Sequence, residues 1–284
     1  MVGPACIAPP AEQRGNLPDY RTLHPWRSLC GEPSCFLNNP APAARRNMDI
    51  IKIHYAFTFD DGRQEVFDLA IDSRSLEVLH APAGDLPEWT RLEFHQCPHC
   101  PFTPATMPHC PVAVCLIQVI GRFQNVVSHN ETELTVTTDE RKVSQRTTAQ
   151  KGISSLLGLL FATSGCPHTS YFKPMARYHL PLSSEDETYY RATAMYLLAQ
   201  YMRHKKGLDV DLELEGLKSI YRNVHKLNTM IAERIRSATR ADSSVNAVVL
   251  LDMISNLMPF VLDENLDKIL HLFSSYLPAA ERGQ

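Results

Sequence analysis

The stretch ETELTVTTDERKVSQRTTAQKGISSLLGLLFATSG, residues 131–165, decides the fold class, because its hydrophobic period changes once along its length. Glu133–Val136 and Lys142–Arg146 flank Asp139 and Glu140, so the first part reads as two strands joined by a turn. From Ala149 to Thr163 the chain is apolar nearly all round, the pattern of a buried helix. Gly165 then stands where a left-handed C-terminal cap is wanted.

Toward the N-terminus the strand character continues. Ile51, Ile53, Tyr55, Phe57 and Phe59 alternate with more polar neighbours, which predicts a half-buried strand over Ile50–Phe59. Asp60-Asp61-Gly62-Arg63 supplies turn chemistry, and Glu65–Ile71 returns as the second strand of a hairpin. A short helix is expected over Val112–Phe123, with Pro111 suited to its first turn.

Toward the C-terminus the chain stays helical. A helix over Ser184–Lys205 opens with a capping box, Ser184 and Glu187, in which hydroxyl and carboxylate satisfy orphan amides. A third is expected over Leu212–Arg236 and a fourth over Ser244–Met258, stopped by Pro259. A fifth carries Leu262, Leu266, Ile269, Leu270, Phe273 and Tyr276. Strands followed by helices give an α+β chain: N-terminal β-hairpins with a cysteine-rich loop, then an all-helical part of about five helices. The expected division is a β-rich subdomain over 48–147 and a helical one over 148–284.

Residues 1–47 differ from the rest. They hold 8 of the 20 prolines, together with Cys6, Cys30 and Cys35, and show neither period. They read as a flexible tail or as a segment upstream of a true start at Met48; the second reading is preferred. The 284 residues carry a formal charge of -3, which argues against the strongly basic face that nucleic acid requires. The longest apolar runs, Ile153 to Ala162 and Val245 to Leu251, are shorter than the roughly 20 residues that span a bilayer. No secretory signal is visible. The expectation is a soluble cytoplasmic protein of a bacterium, with cysteines free or metal-bound rather than paired.

The cysteines carry the unusual chemistry. Cys97-x2-Cys100 has the spacing at which two thiolates reach one ion from a tight turn, Cys110 follows, and Cys166 lies beyond the buried helix. These four are each followed by proline; Cys6, Cys30, Cys35 and Cys115 are not. Proline fixes its own φ and biases the preceding residue toward extended backbone, so a ligand loop built this way has less freedom to lose on binding metal. Four thiolates suit tetrahedral Zn(II), the first expectation, and also an iron–sulfur cluster. Reduced structural cysteines in a proline-rich loop are the plain alternative. His95, His99, His109 and His168 are candidate substitutes or outer partners.

The run Cys97-Pro98-His99-Cys100-Pro101, then Cys110-Pro111-Val112-Ala113, Ser164-Gly165-Cys166-Pro167 and Arg177-Tyr178-His179-Leu180-Pro181 resembles an uncharacterised bacterial family defined only as a domain of unknown function. The resemblance covers roughly Met48 to Tyr276. It implies that the recurring cysteines are Cys97, Cys100, Cys110 and Cys166, and not Cys115; it implies no activity.

Lys173, Arg177 and His179 fall just before a helix start and, with Arg191, form a candidate site for a small anionic ligand, against the alternative of a surface loop with local ion pairs. Asp252, in an apolar run, is expected to pair with an Arg or His. No nucleophile elbow, phosphate loop, dinucleotide fingerprint or His-Glu-x-x-His is present. Cys166 at a helix C-terminus faces the negative dipole end, which disfavours a lone nucleophile. The leading expectation is therefore a non-enzymatic, metal-stabilised accessory or regulatory protein with a protein partner or small anionic ligand. An iron–sulfur redox or sensor protein is the alternative, and an enzyme using Arg177, His179 and Arg191 is the weaker one.

Overall fold

The computed structural model describes residues 49–79, 85–264 and 266–278. The expectations for residues 1–47 lie outside the described residues. The fold is α+β, as the strand-then-helix order requires.

Strand β1 (Ile50–Phe59) pairs antiparallel with β2 (Gln64–Asp72), from Ile50 opposite Asp72 to Thr58 opposite Gln64. Strand β3 (Glu131–Thr137) pairs likewise with β4 (Lys142–Thr148). The two hairpins are not separate, because β1 also pairs with β3, His54 opposite Thr137 through Phe59 opposite Thr132. One four-stranded sheet results, in the order β2-β1-β3-β4. The free edge of β1 would otherwise present unpaired amides and carbonyls, and β3 takes them up.

Alternation puts Ile53, Tyr55, Phe57, Phe67, Leu69, Leu134 and Val136 on one buried face. Helix α2 (Ala149–Thr163) lies on it, and eleven of its fifteen residues are buried, which accounts for its all-round apolar sequence. The approach is close: a Cβ on Gly152 would fall 2.7 Å from a ring carbon of Phe57. Gly165, at φ 86°, turns the chain out of α2 in the left-handed region, where a side chain is strained. Helix α1 (Pro111–Phe123) adds Leu116, Val119 and Phe123 to the same core.

Helix α3 (Lys173–Arg177) is short. Helix α4 (Glu185–Lys205) has both hydrogen bonds of its capping box: Glu187 N donates to Ser184 Oγ at 3.2 Å, and Ser184 N to the Glu187 carboxylate at 2.7 Å. Helix α5 (Glu215–Ala238) buries Leu217, Tyr221, Val224, Leu227 and Ile231 along one stripe. Helix α6 (Asp242–Glu264) runs straight through Pro259, where the sequence predicts a stop. An interior proline removes an amide donor and costs about 3 kcal/mol. Met258 and Leu262 on either side of it are buried against Ala192, Leu217 and Tyr221, and that burial offsets the loss. The chain then continues as a 3₁₀ helix, Leu266–Tyr276. By length and composition α6 would also suffice to cross a membrane, although its buried residues Ala247 and Val248 belong to the core that α2 and the sheet share.

Candidate functional site

Loop 88–110 carries three of the four proline-flanked cysteines. Its ends are pinned antiparallel. Leu92 N donates to Pro108 O at 2.9 Å, Cys110 N donates to Thr90 O at 2.8 Å, and Arg91 bridges His109. The Thr90 hydroxyl donates to Pro87 O at 2.6 Å and lies 2.8 Å from His109 Nδ1, which commits that histidine to the loop. Within the loop, Cys100 N donates to Cys97 O at 3.0 Å, closing the tight turn that the x2 spacing predicts. Cys110 is the N-cap of α1, followed by Pro111 at the first helical position. Cys166 arrives from the other direction, just after Gly165, and is buried.

The four thiols, all free, share one electrostatic neighbourhood. Cys97 is pushed up to about 12, by burial first and then by the charges of Cys110, Cys166 and Cys100. Cys166 is pushed up to about 11 by burial. The His168 and Thr169 amides oppose that rise, and Cys110 and Cys100 add to it. The Cys110 thiol is also raised by burial, against the amides of Ala113 and Val112 and the charge of Arg234. Cys115 is pushed up to about 12 by burial, with Cys110 as its one thiol neighbour of consequence. Among the described residues, no three His, Cys, Asp or Glu side chains stand in metal-holding geometry. The thiols converge without closing on a common point.

The residue that sequence reasoning missed is Arg234. It is 1% exposed, and its guanidinium donates to three main-chain oxygens of the cysteine loop: Trp89 O at 2.9 Å, Arg91 O at 2.6 Å and Leu92 O at 2.8 Å. Burial lowers its pKa, and the charges of Cys110, Cys97 and Cys100 hold it up. A signal was available, since Arg234 falls three residues after Ile231 on the apolar stripe of α5.

His99 and His168 meet at a tilt beside the turn, ring centroids 4.1 Å apart, and His168 Nε2 donates to His99 O at 2.9 Å. Both ring nitrogens of His99 are buried without a hydrogen bond of normal geometry, so His99 is a further candidate ligand. Its pKa is lowered by burial, then by His168. His95 packs against Phe94 instead.

The proposed anion site divides. Lys173 Nζ donates to Ser75 O at 2.6 Å and reaches Glu77 at 3.3 Å, while Arg177 pairs with Glu140 at 3.7 Å and lies over the Tyr178 ring. His179 and Arg191, but not Lys173 or Arg177, line a partly open pocket of about 540 Å³ among α2, α3, α4, α5 and α6. Its walls are mostly apolar, with Leu159, Ala162, Phe172, Met175, Leu251 and Ile254 among them. Tyr221 and Asn228 also reach it, and Asn228 Oδ1 is buried without a partner.

A polar chain orients one wall. Leu182 N donates to Ser155 Oγ at 3.1 Å, Ser155 Oγ lies 3.2 Å from Tyr55 Oη, and Tyr55 Oη bonds His179 Nε2. Burial raises the phenol pKa, so Tyr55 keeps its proton. His179 is pushed down to about 4 by burial and by Arg191, so its ring is neutral. Arg191 is half-buried, with a pKa lowered by burial, and holds Tyr178 O at 2.8 Å. Asp252 does pair with a histidine, His225 at 2.8 Å, on the partly exposed side of α5 and α6.

A family model described as a domain of unknown function (DUF6901) matches residues 53–274, a span containing all four cysteines and the whole pocket. No curated protein and no solved structure matches.

Proposed function

We propose, for a chain that belongs to the DUF6901 family, the role of a non-enzymatic binding protein stabilised by one structural Zn(II) on Cys97, Cys100, Cys110 and Cys166. The observation that carries this reading is that Cys97, Cys100 and Cys110 act on the buried Arg234, while Cys166, from a separate segment, acts on Cys97. A zinc ion with four thiolates has a formal charge of about −2. A buried cation held only by main-chain oxygens offsets part of that charge, which an apolar interior would otherwise penalise. The formed turn at Cys97–Cys100 and the prolines beside each thiol leave little freedom to lose when the four side chains close on the ion.

Such an ion would tie the end of α2 to the loop before α1, so that binding energy becomes folding energy. Binding is favoured over catalysis because the pocket histidine is bonded to Tyr55 and, pushed down to about 4, is a poor base near neutral pH. Metal analysis and an absorption spectrum of anaerobically purified protein test the reading. The expected result is about one zinc per chain, no visible absorption and a melting temperature that falls sharply on chelation. A metal-free preparation with an unchanged melting temperature overturns it, and a brown protein containing iron and sulfide replaces zinc with a cluster on the same thiols.

A further inference from the structure

The pocket of about 540 Å³ falls within the range of roughly 300–1,000 Å³ used by sites for drug-sized molecules. Its walls specify a ligand with two unlike ends. Apolar surface predominates in the lining, from Leu159 and Ala162 on α2 to Leu251 and Ile254 on α6, and offers contact to a hydrocarbon body; Lys151 and Glu185 also reach the wall. The polar groups His179 and Arg191 lie within electrostatic reach of each other. Arg191 forms no ion pair among the described residues. Its Nη2 donates to Tyr178 O and Met175 O, which leaves the rest of the guanidinium to a ligand. Glu187, the carboxylate that acts on Arg191, is committed to Ser184 N in the capping box.

His179 Nε2 and Tyr55 Oη share one hydrogen, and when the phenol donates it the ring's own proton is on Nδ1, a donor for a ligand. A guanidinium and a neutral imidazole on the wall of a largely apolar pocket suit an acceptor-only, negatively charged group. We propose that this pocket binds a small amphipathic carboxylate, with its hydrocarbon part between α2 and α6 and its carboxylate on Arg191 and His179. The site does not depend on metal at the cysteines.

Decanoate is the probe, measured by calorimetry and thermal shift on the full chain, with decanol, decyltrimethylammonium and inorganic phosphate as comparisons. Decanoate is expected to bind and raise the melting temperature. Decanol should bind about 10- to 100-fold more weakly, as loss of a charge-assisted contact requires, and the cation should not bind. Arg191→Met should lower decanoate affinity by a similar factor and leave decanol affinity unchanged, which also reports that the pocket remains intact. Ile254→Trp, which fills the pocket from α6, should abolish binding of both while the circular dichroism spectrum is retained. The proposal is overturned by no decanoate binding, by equal binding of decanol, or by binding that survives both substitutions. Arg191-dependent binding of phosphate at the strength of decanoate also overturns it, because the apolar walls would then contribute nothing.

Discussion

At the scale of single residues, two buried polar groups set measurable properties. Arg234 satisfies three carbonyl oxygens of the cysteine loop from a position 1% exposed. Arg234→Met leaves those oxygens buried without donors, and a loss of about 3–5 kcal/mol in urea unfolding is expected. His179 has a folded-state pKa pushed down to about 4 from an ordinary 6.5. Below 6.5 the unfolded chain binds a proton that the folded chain refuses. The stability contributed by the neutral ring is therefore complete above that pH and is lost as pH falls toward 4. The loss amounts to about 3 kcal/mol, and His179→Leu should flatten that part of the pH–stability curve. Arg234 was legible only in hindsight, because in Glu233-Arg234-Ile235-Arg236 it reads as one more surface charge until the stripe is counted from Ile231. Lys173 and Arg177 pair with Glu77 and Glu140, which come from distant turns that spacing cannot reveal.

At the scale of elements, period and capping were readable wherever local chemistry decides. The bounds of α2 and the capping box of α4 follow directly from residues within one or two turns. The union of the two hairpins was not readable, since the pairing of β1 with β3 depends on packing under α2 and not on either strand alone. Pro259 misled for the same reason, as burial of Met258 and Leu262 outweighs a local penalty. The contact of α2 with the sheet supplies a paired test. Alanine normally improves a helix interior over glycine by about 1 kcal/mol. Gly158→Ala meets only ordinary contact, 3.6 Å from Leu251, and should gain up to about that amount. Gly152→Ala drives a methyl group into Phe57 and should instead cost about 1–2 kcal/mol. Melting temperatures moving in the same direction for both would refute the close-approach argument.

At the scale of the whole molecule, strands and helices share one core, and Cys166 belongs to it while Cys97, Cys110 and Cys115 pack against it. The cysteines can therefore be told apart. Cys166→Ser should lower both bound zinc and the urea midpoint, whereas Cys115→Ser, outside the proposed ligand set, should keep its zinc; equal zinc loss in both would redraw the set. The pocket escaped sequence reading because Leu159 or Ile254 looks the same whether it fills a core or walls a space. The sheet order has a consequence during synthesis. The inner edge of β1 finds its permanent neighbour in β3, and the ribosome must first make everything from Phe59 to Glu131. Throughout that interval the nascent hairpin holds out an unpaired strand edge and the aromatic face of Tyr55, Phe57 and Phe67, the kind of surface that invites strand addition from other chains. A pause in translation before β3 would prolong that exposure, and a chaperone waiting at the exit tunnel would find its binding site there.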